Sequence, residues 1–328
     1  MEKQEQREKE AEEAINAINK KTGRNMPQAI ATAVVLIAII LACLLISVDL
    51  FVYLVVLFMV LALWELRVDF ATAGLHIPVV ALWACSAVTL LATYYSKHHI
   101  VAMTVCVLAS LLLVAIAASA KVTFGSRLSL AVADKLSHTD AGARLESSFN
   151  HEQGEVRHSR LSHVAVSMFT VLYIPLLASC LIMPLTFNGH PVAHAIMLVF
   201  MPALSDTGGL FAGAWLGKHK LSPRISPKKS WEGLAGSILF AMAGSFVVMF
   251  CTYEPSVWTV RWWVPIVAGF MIGIAGTFGD LSASMLKRDI GIKDMGHLLK
   301  GHGGVMDRVD SILLCAPFVC VLLWATGM

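Results

Sequence analysis

The chain has 328 residues, 57% of them hydrophobic and only 14% charged, and its mean hydropathy is +0.72. Soluble domains carry about 25% charged residues, so this composition excludes a soluble globular protein and puts most of the chain in lipid. The net charge of +3 decides little as a total, and the seven cysteines form no C-x-x-C pair, which excludes a zinc ribbon or a disulfide framework.

Residues 1–27 are rich in Glu, Lys and Ala with no stripe wide enough to bury, and read as a cytosolic, solvated N-terminal segment. The charged stretch is too long, and lacks the small-residue cleavage site, for a signal peptide. Residues 28–328 read as one transmembrane domain. A helix needs roughly 20 residues to cross the hydrocarbon core. Apolar runs at about 29–48, 50–65, 77–95, 100–120, 161–186, 192–216, 233–251, 263–285 and 310–326 predict an all-α polytopic membrane protein with about nine transmembrane helices. An odd number puts the termini on opposite sides. With the N-terminus cytosolic, 23 of the 25 Lys and Arg residues fall on the inner side, leaving only Lys97 and Arg261 outside. The C-terminus is then outside, and cytosolic loops fall at about 121–160, 217–232 and 287–309. The first loop carries His138, His151 and His158, whose spacing fits no helix face; it reads as a solvated loop or short amphipathic helix. Internal repeats of the kind seen in many transporters are absent.

Charge concentrates beside this apolar sequence from Ser284 to Asp310. That stretch holds Lys287, Arg288, Lys293, Lys300 and Arg308, with Asp289, Asp294, Asp307 and Asp310, then His302 and the pair Gly303-Gly304. Cations and glycine amides suit a polyphosphate, and carboxylates suit the metal ion that travels with it. Upstream, Leu204 to Gly233 holds Asp206 and a run with no acid between Lys218 and Trp231, including Ser226, Lys228 and Lys229. Pro223 and Pro227 make that run an extended loop. A bland reading of it is a positive-inside loop touching anionic lipid. Asp206 lies 15 residues after Pro191, and Asp280 lies 16 after Val264. At 1.5 Å per residue both sit about 22–24 Å along their helices. Carboxylates at one depth on separate helices suit a divalent cation; a hydrogen bond to Ser205, Thr207 or Ser284 is the alternative. Asp307 and Asp310, three apart, share a face where the last helix begins, and capping is an alternative role for each.

These motifs closely resemble the signature of the phosphatidate cytidylyltransferases, the CDP-diacylglycerol synthases. The pattern runs S-x-apolar-K-R, four residues, K-D-x-small, then H-G-G, apolar, x, D-R-apolar-D. Ser284, Leu286, Lys287, Arg288, Lys293, Asp294, Gly296, Leu299, His302, Gly303, Gly304, Asp307, Arg308, Val309 and Asp310 fall in register. Asp206-Thr207-Gly208, the run from Ser226 to Gly233, and Gly279-Asp280 match further elements, and the wording looks most like the actinobacterial branch. Lys300 departs, standing where the family has Pro or Gly, which puts the local turn shape in doubt.

The resemblance implies transfer of CMP from CTP to phosphatidic acid, giving CDP-diacylglycerol and pyrophosphate for phospholipid synthesis. It implies catalytic roles for Asp280, Lys287, Arg288, Lys293, Asp294, His302, Asp307, Arg308 and Asp310. Substrate binding would fall to Ser226, Lys228, Lys229, Ser284, Gly303 and Gly304. Asp206 and Asp280 would hold Mg²⁺, with a second cation left open. The expected partners are CTP, phosphatidic acid of the inner leaflet and membrane lipid, with no nucleic acid and a homodimer left open. The expected location is the bacterial cell (inner) membrane, as a multi-pass protein. Two other readings share parts of the pattern: a CTP-dependent kinase of a polyprenol-type lipid, and a cation-coupled transporter with Asp206 and Asp280 on the ion path.

Overall fold

The protein is described by a computed structural model covering residues 26–120, 160–187, 189–223, 225–292, 295 and 304–328. The charged N-terminal segment and nearly all of the 121–160 loop lie outside the described residues.

The chain is a bundle of apolar helices. In order they are α1 (Met26–Ile46), α2 (Val48–Thr72), α3 (Val79–Tyr95), α4 (His99–Ser119), α5 (Arg160–Thr186), α6 (Pro191–Leu216), α7 (Trp231–Thr252), the short α8 (Pro255–Arg261), α9 (Val264–Ile290) and α10 (Met306–Thr326). Seven of these, α2, α4, α5, α6, α7, α9 and α10, are long and apolar enough to cross a membrane. The apolar part of α1, Ala31–Ile46, and α3 are shorter. Each of the nine apolar runs predicted from sequence is therefore a helix. The outward surface is what lipid asks for: Leu45, Trp215 and Phe250 are each more than three-quarters exposed. The protein is an all-α, multi-pass membrane protein.

Local chemistry sets the helix ends. Ser47 N-caps α2, its hydroxyl accepting from the Asp49 amide at 3.1 Å. Ser230 does the same for α7 through Gly233, with Glu232 in the first turn, where negative charge suits the helix dipole. Gly291 closes α9 at φ +81°, with its own amide donating to Arg288 and that of Ile292 to Lys287. Pro175 falls in a π-helical turn of α5, Leu172–Leu176.

Three sequence boundaries move. The second helix was expected to stop at residue 65, but α2 continues to Thr72, so Glu65 and Asp69 are buried within the bundle. The 287–309 stretch was expected to be a loop. Instead Lys287 and Arg288 form the last turn of α9, and Asp307 and Arg308 the first turn of α10. The extended 217–232 loop folds as a hairpin, β1 (Lys220–Ser222) antiparallel to β2 (Ser226–Ser230), paired at Lys220 with Ser230 and Ser222 with Ser226.

Small residues let the central helices approach. A methyl on Gly208 of α6 would sit 2.6 Å from the Gly236 carbonyl oxygen of α7. One on Gly279 of α9 would sit 3.1 Å from the Ser311 Cα of α10. In lipid, where burial of apolar surface gives no drive between helices, such close packing holds them together. Gly279 also sets the spacing at which Asp280 meets α10.

Candidate active site

The site is assembled where α6, α9, α10 and the hairpin meet. Lys229, the fourth residue of β2, reaches across to α9. Its Nζ lies 2.9 Å from Asp280 Oδ2 and donates to the Thr277 carbonyl at 2.7 Å. The hairpin is thereby pinned to the helix turn that carries Asp280. Two turns along α9, Lys287 Nζ donates to Asp307 Oδ1 of α10 at 2.9 Å, both side chains being nearly buried. Ion pairs thus tie α9 to the hairpin on one side and to α10 on the other.

Asp310 is buried, and its Oδ1 accepts from the Ser311 amide at 2.6 Å. Asp206, on α6, is exposed though densely surrounded by protein. It bonds with the Ser311 hydroxyl and interacts electrostatically with Asp280, Lys229 and Arg308. Asp310 in turn feels Asp280, Asp206 and Lys287. Three carboxylates from three helices therefore share one field, ringed by three cations. Asp206 and Asp280, expected from their helix positions to share a site, are close enough to interact electrostatically. The hydroxyl alternative is also partly realised: the partner is Ser311, which sequence reasoning did not single out.

Asp307 and Asp310 take different roles despite their shared spacing, the first pairing with Lys287 and the second bonding to backbone. Neither serves as the N-cap of α10. That function comes from Glu65 of α2, whose buried Oε2 accepts the Met306 amide at 2.9 Å. The same oxygen lies beside Gly304, where a methyl would come within 2.8 Å of it and would collide with the Met295 carbonyl. Gly304 is thus needed for close approach. Tyr173 of α5 was also missed. It is buried and faces the charges of Asp310, Asp280 and Asp307, and its hydroxyl has no hydrogen-bond partner among the described residues. The Ser205 hydroxyl is likewise buried without a partner there.

The remaining predicted residues fall as follows. Arg288 is exposed on the last turn of α9, and Ser284 lies one turn earlier, half-buried. Ser226 opens β2, and Lys228 lies on the same strand. Lys293, Asp294, His302 and Gly303 lie outside the described residues. His219 has Nδ1 2.6 Å from Glu232 Oε1 and ties the hairpin to the start of α7.

The donor set bears on a metal. Among the described residues no group of three or more His, Cys, Asp or Glu side chains is arranged to hold an ion. Magnesium, however, is usually bound by one or two carboxylates with substrate phosphates, not by an all-protein cage. Asp206 and Asp280 supply hard oxygen ligands of that kind, beside two unpartnered buried hydroxyls. The residues fit such an ion in type and number.

A chain named phosphatidate cytidylyltransferase from Mycobacterium leprae (strain TN) is 37% identical over 163 residues, 50% of each chain. Another so named, from Mycobacterium bovis (strain ATCC BAA-935 / AF2122/97), is 37% identical over 166 residues, 50% of this chain and 51% of its own. A third, from Haemophilus influenzae (strain ATCC 51907 / DSM 11121 / KW20 / Rd), is 35% identical over 154 residues, 44% of this chain and 52% of its own. The matched region spans about half the length of these relatives. The profile of the cytidylyltransferase family matches residues 27–326, nearly the whole helical bundle, and the chain belongs to that family.

Proposed function

We propose that the protein transfers CMP from CTP to phosphatidic acid, giving CDP-diacylglycerol and pyrophosphate. The observation that carries this reading is the convergence of Asp206, Asp280 and Asp310 from three helices, ringed by Lys229, Lys287 and Arg308, in a bundle of apolar helices. Ionisable groups at such depth are costly and mark function.

Chemically, an oxygen of the lipid phosphate attacks the α-phosphorus of CTP. The bond from that phosphorus to the bridging oxygen breaks, and pyrophosphate leaves with the electron pair. The attacking oxygen is already ionised, so no general base is needed. Both reactants are anions, so the work is charge neutralisation and in-line positioning. Lys229 and Lys287, held in place by Asp280 and Asp307, turn toward phosphate oxygens, and Arg308 binds phosphate in the same ring. Arg288 extends that positive surface, while Ser226, Ser284 and Gly304 line the substrates. Asp206 and Asp280 would hold Mg²⁺, which when bound neutralises the phosphates and the departing pyrophosphate. The site faces the cytosol, where CTP is, in a bacterial cell membrane with the N-terminus inside. The positive-inside distribution of Lys and Arg supports that orientation.

The test is the fate of label. With CTP labelled at the α-phosphorus, the lipid product should carry the label, and with γ-labelled CTP it should not. Lipid labelled only from the γ position would replace this reading with a kinase, and no lipid label from folded protein would favour a transporter.

A further inference from the structure

Four buried hydroxyls have no hydrogen-bond partner among the described residues: those of Ser86, Tyr173, Ser205 and Ser245. A polar group buried in this way gives up its bonds to water and gains none in exchange. A serine on a helix can meet the need by turning to the carbonyl one turn back, as Ser167, Ser179 and Ser282 do in this chain. A tyrosine cannot, because a rigid ring holds its hydroxyl far from its own backbone. Tyr173 therefore depends on a partner from outside its helix.

The fold holds that hydroxyl in place. Tyr173 is 7% exposed, and its ring stacks on Phe169 one turn earlier, with centroids 5.3 Å apart and planes 15° from parallel. It lies in the π-helical turn Leu172–Leu176, whose Pro175 has no amide to offer the Val171 carbonyl. Such turns are frequent at functional sites. Around the hydroxyl stand Asp280, Asp307 and Asp310. Each is engaged elsewhere: Asp280 with Lys229, Asp307 with Lys287, and Asp310 with the Ser311 amide. The tyrosine donates to none of them. It is a neutral donor beside the two ion pairs whose lysines the proposed reaction assigns to phosphate. A phosphate oxygen drawn to those lysines is an anionic acceptor of the kind this hydroxyl needs.

We infer that the Tyr173 hydroxyl donates a hydrogen bond to a phosphate oxygen of the bound substrates, which makes Tyr173 a further substrate-binding residue of this site. The inference rests on the proposed reaction for the arrival of phosphate. It deepens that reading by adding a neutral donor, from a fourth helix, to the ring of cations. Nucleotide and lipid both present such an oxygen, and the experiment tells them apart.

The experiment uses the full chain in detergent micelles, as parent and as Tyr173→Phe, which keeps the ring and its stacking on Phe169 and removes only the hydroxyl. Thermal unfolding gives the stability of each protein without ligand. Its shift gives the affinity for two probes taken separately: pyrophosphate with Mg²⁺, and short-chain phosphatidic acid. The ligand-free variant should be at least as stable as the parent, since it loses no hydrogen bond within the protein. Its affinity for at least one probe should fall about 10- to 100-fold, as a hydrogen bond to a charged group implies. Loss with pyrophosphate puts the contact on the nucleotide side, and loss with phosphatidic acid puts it on the lipid. Unchanged affinity for both probes would overturn the inference. So would a ligand-free variant less stable than the parent, which would give the hydroxyl a structural partner, or a parent that binds neither probe. Weakened probe binding in a protein that makes no CMP-lipid from CTP would keep the inference and overturn the reaction. CMP-lipid formation with unchanged probe binding would do the reverse.

Discussion

The Lys287–Asp307 pair separates a structural from a chemical role. The two groups are 2.9 Å apart, with side chains 13% and 9% exposed. Breaking such a pair from one side leaves a buried charge and costs roughly 3–5 kcal/mol. Against a total stability of about 5–15 kcal/mol, either Lys287→Met or Asp307→Leu should cause severe loss. The two changes together replace the pair with apolar side chains, and should recover stability to within about 1 kcal/mol of the parent. Activity should not follow. Lys287 is assigned to substrate phosphate, and losing one such donor typically costs about 10²-fold or more in turnover. The assay is denaturant unfolding in micelles, followed by tryptophan fluorescence, alongside pyrophosphate release. A double variant with recovered stability and recovered turnover would refute the chemical role and leave the pair a strut between α9 and α10.

Other substitutions probe the same architecture. Asp280→Asn should abolish turnover without impairing folding or membrane insertion; normal pyrophosphate release would remove Asp280 from the metal site. Glu65→Ala leaves the Met306 amide without its acceptor, at a cost of about 1–3 kcal/mol, and should lower kcat. Glu65→Gln keeps a carbonyl acceptor and should retain most activity, so equal losses in both would argue against capping. Gly304→Ala drives a methyl into the Met295 carbonyl and should cost about 1–3 kcal/mol in unfolding measurements together with most turnover. Lys300→Pro, which adopts the residue common in the family, should be tolerated; an inactive but folded variant would mean that Lys300 carries charge the site needs.

The bundle was legible because lipid demands long apolar runs, and nothing else in the chain competes with that signal. Asp206, Asp280, Lys229 and Asp307 were legible because charges beside such runs need a reason. Glu65 and Tyr173 were not. Glu65 stands in the run Trp64-Glu65-Leu66-Arg67, where charge looks like the end of a helix. Its burial depends on α10 arriving 241 residues later to offer the Met306 amide. Tyr173 is one aromatic among many until α5 packs it against the carboxylates. The pairing of Lys229 with Asp280 and of Lys287 with Asp307 also needed the fold, since nothing in the spacing of these residues along the chain matches one lysine to one aspartate. The hairpin escaped notice because Pro223 and Pro227 favour extended backbone without specifying what it pairs with.

The most direct measurement is pyrophosphate release by the purified full chain in detergent micelles, with CTP, phosphatidic acid and Mg²⁺ each omitted in turn. The account predicts release only when all three are present, with one CMP joined to lipid for each pyrophosphate freed. Release without phosphatidic acid, or phosphoryl transfer that leaves CDP, would contradict it.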